Sequence, residues 1–128
     1  MRKTLIGFVG CLSLTCLIGC GQDSGIGGAG PAAYVVANFR ITDAQAYAAY
    51  PPLAGPTVVA SGGEILVADP ESEAMDGQPE HVTVVIKFPS KEAARAWYNS
   101  AEYQEIVHLR TDNTEGFLAL TDEFVIPE

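Results

Sequence analysis

AYVVANFRITDAQAYAAYPP, residues 33–52, changes its period halfway along. Ala33, Val35, Ala37, Phe39 and Ile41 alternate with Tyr34, Val36, Asn38 and Arg40, the period of two expected of a strand with one apolar and one mixed face. Thr42-Asp43-Ala44-Gln45 then fits a capping box, so a helix starts there, with Tyr47 and Tyr50 on one of its faces. Pro51-Pro52 should kink or break that helix, because proline lacks the amide donor and restrains its predecessor. The helical pattern resumes from Leu53 to Ala60 and stops at Gly62-Gly63, a C-terminal cap.

Working outward, EILVAD (residues 64–69) and HVTVVIKF (residues 81–88) read as the second and third strands, joined by the acidic, turn-rich PESEAMDGQPE. Ser90 caps the next helix, with Glu92 in the first turn where the helix dipole favours an anion. That helix, KEAARAWYNSAEYQEIVHLRTD, should break near Asn99-Ser100, where a second cap is available. FLALTD (residues 117–122) is the fourth strand. The order β-α-β-β-α-β predicts an α+β, ferredoxin-like domain over residues 33–124, an antiparallel sheet with two helices on one face, followed by a tail at 125–128.

The chain's other end reads as an address. Arg2 and Lys3 precede the apolar run Leu5 to Ile18, which is too short to span a bilayer and has the parts of a secretory signal over residues 1–19. Leu17-Ile18-Gly19-Cys20 resembles the lipobox of bacterial lipoproteins, in which the cysteine thiol is diacylated and the chain is cut just before it. The chemistry accounts for the residue type, since a thioether to diacylglycerol needs a sulfur nucleophile. Of the three cysteines, Cys11 and Cys16 would leave with the leader, so no disulfide is expected in the mature chain. Residues 20–32 are rich in glycine and read as a lipid-anchored tether with a reach of about 20 Å.

Seven Lys and Arg stand against sixteen Asp and Glu, a net charge of −9 that becomes more negative when Arg2 and Lys3 are removed. Nucleic acid is therefore not an expected partner, because a phosphate backbone would be repelled. An anionic lipid surface would also repel the chain, so attachment to the bilayer should depend on acyl chains at Cys20. The expected location is the bacterial cell envelope. Gly21 after Cys20, in place of aspartate, resembles the sorting rule for the periplasmic face of the outer membrane in a diderm host. The alternative is the outer face of the cytoplasmic membrane.

The strand AYVVANFRI with its helix, the GG turn, the DG hairpin and above all FPSKEAARAWYNSAEYQEIVHLR resemble the domain-of-unknown-function family 1330 of the dimeric α/β barrel superfamily. The likeness covers residues 33–124. It departs at Pro51-Pro52, and at Asp76 where glutamate usually precedes the glycine. The resemblance implies two ferredoxin-like protomers packed sheet on sheet, hence a homodimer, and implies no particular activity.

The sheet face must therefore be read directly. If the odd residues of the first strand pack on the helices, Tyr34, Val36, Asn38 and Arg40 face the other way. On the third strand Val82, Val84, Ile86 and Phe88 share the core face, leaving His81, Thr83, Val85 and Lys87 opposite. With the two strands central, adjacent and parallel, Arg40 and Lys87 come side by side. Two such cations, with Asn38 beside them, suit a small anionic ligand such as a carboxylate. The competing account is that they snorkel at a dimer interface or pair with acidic neighbours such as Asp122. Trp97, Tyr98 and Tyr103 read as core packing or as a stacking platform.

His81 and His108 lack any metal-ligand spacing, and Asp69, Glu71, Glu73, Asp76 and Glu80 lack the calcium-loop pattern, so no metal or other cofactor is expected. Two functions remain open. The domain is a lipid-anchored dimer that binds a small ligand or envelope partner. Alternatively it is a cofactor-independent isomerase, decarboxylase or monooxygenase-like enzyme acting on a small organic acid, with Arg40 and Lys87 holding the carboxylate and Tyr34 or His81 moving a proton.

Overall fold

The computed structural model describes residues 30–128; the expected leader, Cys20 and most of the expected tether lie outside the described residues. The elements run β1 (Ala33–Ile41), α1 (Ala44–Tyr47), α2 (Tyr50–Ala60), β2 (Glu64–Asp69), β3 (Val82–Phe88), α3 (Lys91–Tyr98), α4 (Ala101–Thr111) and β4 (Thr114–Asp122). The four strands form one sheet in the order β2-β3-β1-β4, every pairing antiparallel. This is the α+β ferredoxin-like fold that the element order predicts, with all helices over one face.

One expectation about the sheet is corrected. β1 and β3 are central and adjacent but antiparallel, with Tyr34 opposite Lys87 and Phe39 opposite Val82. The physical reason is connectivity: two crossovers, one through α1 and α2 and one through α3 and α4, each carry the chain to the far side of a sheet in which β2 and β3 are joined by a simple hairpin.

The local signals are resolved by their side chains. Asp43 rather than Thr42 is the N-cap of α1, its Oδ1 accepting from the Ala46 amide at 3.0 Å. That helix lasts a single turn, and α2 begins anew at Tyr50. Pro51 and Pro52 therefore occupy the first turn of a helix, where an amide has no intrahelical acceptor and its absence is harmless. At the other end of α2, Gly62 at φ 76° donates to Val59 O and Gly63 donates to Val58 O, the two bonds of a Schellman cap. Ser90 caps α3 through the Ala93 amide and Ser100 caps α4 through the Tyr103 amide, so the second helix breaks where a cap is available. β4 starts three residues before its apolar pattern because pairing with Phe39, Arg40 and Ile41 continues through Thr114, Glu115 and Gly116.

The core lies between β1, β3 and the helices. Val35, Ala37, Phe39, Val82, Ile86 and Phe88 point into it from the sheet. Tyr50, Ala54, Val58, Ala94, Trp97 and Tyr103 point into it from the helices. Trp97, Tyr103, Phe88 and Val58 are the largest fully buried side chains. Burial of a side chain of this size contributes about 1.5–3 kcal/mol, so the α3–α4 layer carries much of the stability. Trp97 and Tyr103, read from sequence as core or platform, are core.

Candidate ligand-binding site

The residues singled out from sequence do not converge. Antiparallel pairing sends Arg40 and Lys87 to opposite ends of the sheet, six residues of β1 apart, or about 20 Å at the rise of a strand. Each has acidic company there. Arg40 bridges Glu80 at 3.3 Å and also pairs with Glu115. Lys87 lies 4.0 Å from Glu123 and 5.8 Å above the Tyr34 ring, and the Tyr34 hydroxyl donates to the same Glu123 at 3.3 Å. Asn38 uses its amide to hold the end of the β2–β3 loop, donating to Glu80 O at 2.7 Å and accepting from the Glu80 amide at 2.8 Å. His81 is exposed immediately before β3, and Asp122 serves Lys91 at 2.6 Å. No group of three or more metal-ligating side chains occurs among the described residues.

The helix side of the sheet offers more. A largely apolar cavity of about 300 Å³ opens between α2 and the strands β2 and β3. Its floor is Val82, Val84 and Ile86, its roof Tyr50, Ala54, Gly55 and Val58, and Tyr47 and Trp97 border it. It exists because α2 follows an interruption of the helix and carries small residues, Ala54 and Gly55, above the sheet; a Cβ built on Gly55 meets nothing within 4 Å. β2 beside it is exposed along all six residues, and a bulge at Leu66 loosens its pairing with β3.

Behind this cavity runs a polar chain that the sequence reading missed. The Tyr50 and Tyr103 hydroxyls are 2.8 Å apart and buried, and Arg110 Nε donates to Tyr103 Oη at 3.4 Å. Burial pushes the Tyr50 phenol far above the usual tyrosine range, and the neighbouring Tyr103 reinforces the shift. Burial also raises Tyr47, against the opposing pull of Arg110. For Arg110 burial works against the charge, but Tyr103 and Tyr50 outweigh it and the guanidinium ends above its ordinary value. Both tyrosines thus stay protonated at neutral pH and can donate hydrogen bonds. Tyr47 borders the cavity and its hydroxyl has no protein partner among the described residues; Asp69 is another polar residue at the rim, its Oδ1 accepting from the Glu71 amide at 2.9 Å. The only sequence signal for this chain was Tyr47 and Tyr50 sharing a helix face.

Comparison with known proteins agrees with the architecture. The family model described as domain of unknown function (DUF1330) matches residues 32–124. No curated protein matches the chain. Among solved structures, a protein of unknown function from Rhodopseudomonas palustris is similar at 20% identity and TM-score 0.63, covering 75% of this chain and 85% of that one. SnoaB, a cofactor-independent oxygenase from Streptomyces nogalater, is similar at 12% identity and TM-score 0.53, over 77% of this chain and 99% of its own. A conserved protein from Methanosarcina mazei is similar at 15% identity and TM-score 0.50, over 75% and 96%. At these identities the likeness is one of fold, the α+β ferredoxin-like fold described above.

Proposed function

The chain belongs to the domain of unknown function family DUF1330, and on that premise we propose that it is a small-ligand-binding domain, held as a homodimer at a bacterial envelope membrane through acylated Cys20. The observation that carries the binding reading is the cavity beneath α2: about 300 Å³, mostly apolar walls, Asp69 at its edge and Tyr47, whose hydroxyl is an unspent donor, beside it. Those are the proportions of a pocket for a compact, mostly apolar molecule with one polar group. Its test uses Gly55, where an added Cβ meets nothing within 4 Å beyond its chain neighbours. Gly55→Leu should fill the cavity and abolish binding of a neutral probe such as 4-ethylphenol, read by fluorescence of Trp97, the single tryptophan. Unchanged probe affinity in a folded Gly55→Leu protein would remove the cavity from consideration.

Support for the dimer comes from the sheet face away from the helices, where Val36, Val85, Ala119 and the 55% exposed Phe117 make an apolar strip. Phe117→Glu should convert a dimer to a monomer in sedimentation, and a wild-type monomer would count against it. Support for the anchor is the leader ending at Gly19-Cys20. Cys20→Ala should move the protein from the membrane to the soluble fraction, and the intact mass of the membrane-purified chain should begin at a diacylated Cys20.

A second reading, cofactor-independent catalysis on a small organic acid, draws on Tyr47. An unpartnered phenol backed by the Tyr50–Tyr103–Arg110 chain is placed to move a proton to or from a bound molecule. It requires turnover that Tyr47→Phe abolishes while probe binding persists. Equal rates in the two proteins would exclude it.

A further inference from the structure

A second cleft, of about 430 Å³, lies between α3 and the strands β1 and β4, with Trp97 as the wall it shares with the first cavity. We infer that this cleft is a binding site for a small organic carboxylate, held by Arg110 with Arg95 at the rim.

Charge bookkeeping among the described residues leads there. Arg40, Lys87, Lys91 and Arg95 each have a carboxylate within ion-pair distance, whereas Arg110 has none. In a chain with sixteen acidic residues, leaving one arginine unpaired is an exception. Arg110 is also half-buried, so its charge carries a desolvation cost that no carboxylate offsets. It makes one long hydrogen bond, Nε to Tyr103 Oη at 3.4 Å, and its two Nη groups have no acceptor among the described residues. Arg110 lines the cleft, whose other walls include Val35, Leu118 and Leu120. A planar fork of donors on the wall of an apolar slot matches a carboxylate carrying a short hydrocarbon or aromatic body. Arg95 is 60% exposed, and its pairing with Glu92 at 3.6 Å is loose, so it adds field at the entrance more than a fixed contact.

Benzoate and its neutral isostere benzamide test the assignment on the purified protein. Benzoate should bind saturably and benzamide at least tenfold more weakly. Arg110→Met should weaken benzoate at least tenfold, Arg110→Lys less, and Arg95→Met about threefold. In the wild-type protein benzoate should shift the ¹⁵Nε resonance of Arg110 and leave that of Arg40 in place, a readout that holds even if Arg110→Met fails to fold. Equal affinities for benzoate and benzamide, undiminished benzoate binding by folded Arg110→Met, or an unmoved Arg110 resonance would each overturn the site. Gly55→Leu should not alter benzoate binding, so failure of this site and failure of the apolar cavity are told apart.

Discussion

Each half of the domain runs strand, interrupted helix, strand, yet the two are packed to different standards. In the second half Trp97 and Tyr103 are exposed by 1% and 0%, and the break between α3 and α4 is sealed by Ser100, which donates to Trp97 O and accepts from the Tyr103 amide. In the first half the break between α1 and α2 has no side-chain cap, α2 stands over a cavity, and β2 is exposed throughout. The difference teaches where this fold spends its stability. Burial of Trp97 and Tyr103 anchors the second half to the sheet, whereas the first half ends on an edge strand that stays exposed.

The strongest way to break that comparison is Trp97→Ala, which deletes the centre of the packed half. It should cost about 3–5 kcal/mol in denaturant unfolding. A loss below about 1 kcal/mol would mean that the two halves share the load. Glycines on α2 and its cap sharpen the contrast. Gly63→Ala sets a Cβ 2.7 Å from both the Phe88 ring and Val58. It should destabilise by about 1–3 kcal/mol. Gly55→Ala, over open space but directly before Pro56, should change stability by less than about 1 kcal/mol. A cost for Gly55→Ala equal to that of Gly63→Ala would refute the contrast between a closed helix cap and an open helix middle.

Next in size is the seam between the halves, the Tyr50–Tyr103 hydroxyl pair. Tyr50→Phe should cost about 1 kcal/mol. It should also flatten the alkaline limb of stability. In the unfolded chain a tyrosine releases its proton near pH 10, whereas burial keeps Tyr50 protonated above that pH in the folded chain. The contribution is therefore complete below about pH 10 and lost as pH rises further, at up to about 1.4 kcal/mol per pH unit for each such tyrosine. An unchanged alkaline slope in the variant would show that the hydroxyl is not protected. The smallest effect belongs to the outer sheet face. Arg40→Met removes exposed pairs with Glu80 and Glu115, and should change stability by less than about 1 kcal/mol, less still in high salt.

Much of the fold is written in short-range pattern. The alternation in residues 33–41, the caps at Ser90 and Ser100 and the glycine pair at 62–63 are local consequences of backbone chemistry, and all three hold in the structure. The cap at Asp43 instead of Thr42 is a one-residue slip between two competent acceptors. The site was much less legible. A period of two tells which face Arg40 and Lys87 share but is blind to strand direction, and direction decides whether they meet. Arg110 carries no sequence mark, because what distinguishes it is the lack of a carboxylate that any of sixteen acidic residues could have supplied. Such a lack exists only in three dimensions.

The last strand ends where the first begins: Ala33 faces Asp122, and the Glu123 amide donates to Ala32 O at 2.7 Å. β1 and β4, the most distant strands in the chain, thus form an antiparallel pair whose loose ends a short linker could join. Cut instead at Met75, which is 99% exposed in the β2–β3 loop, the chain would run from β3 to β2 and the β4–β1 pair would become a hairpin. Circular permutation would then turn the costliest loop closure of folding into one of its most local steps, with every pairing of the sheet retained.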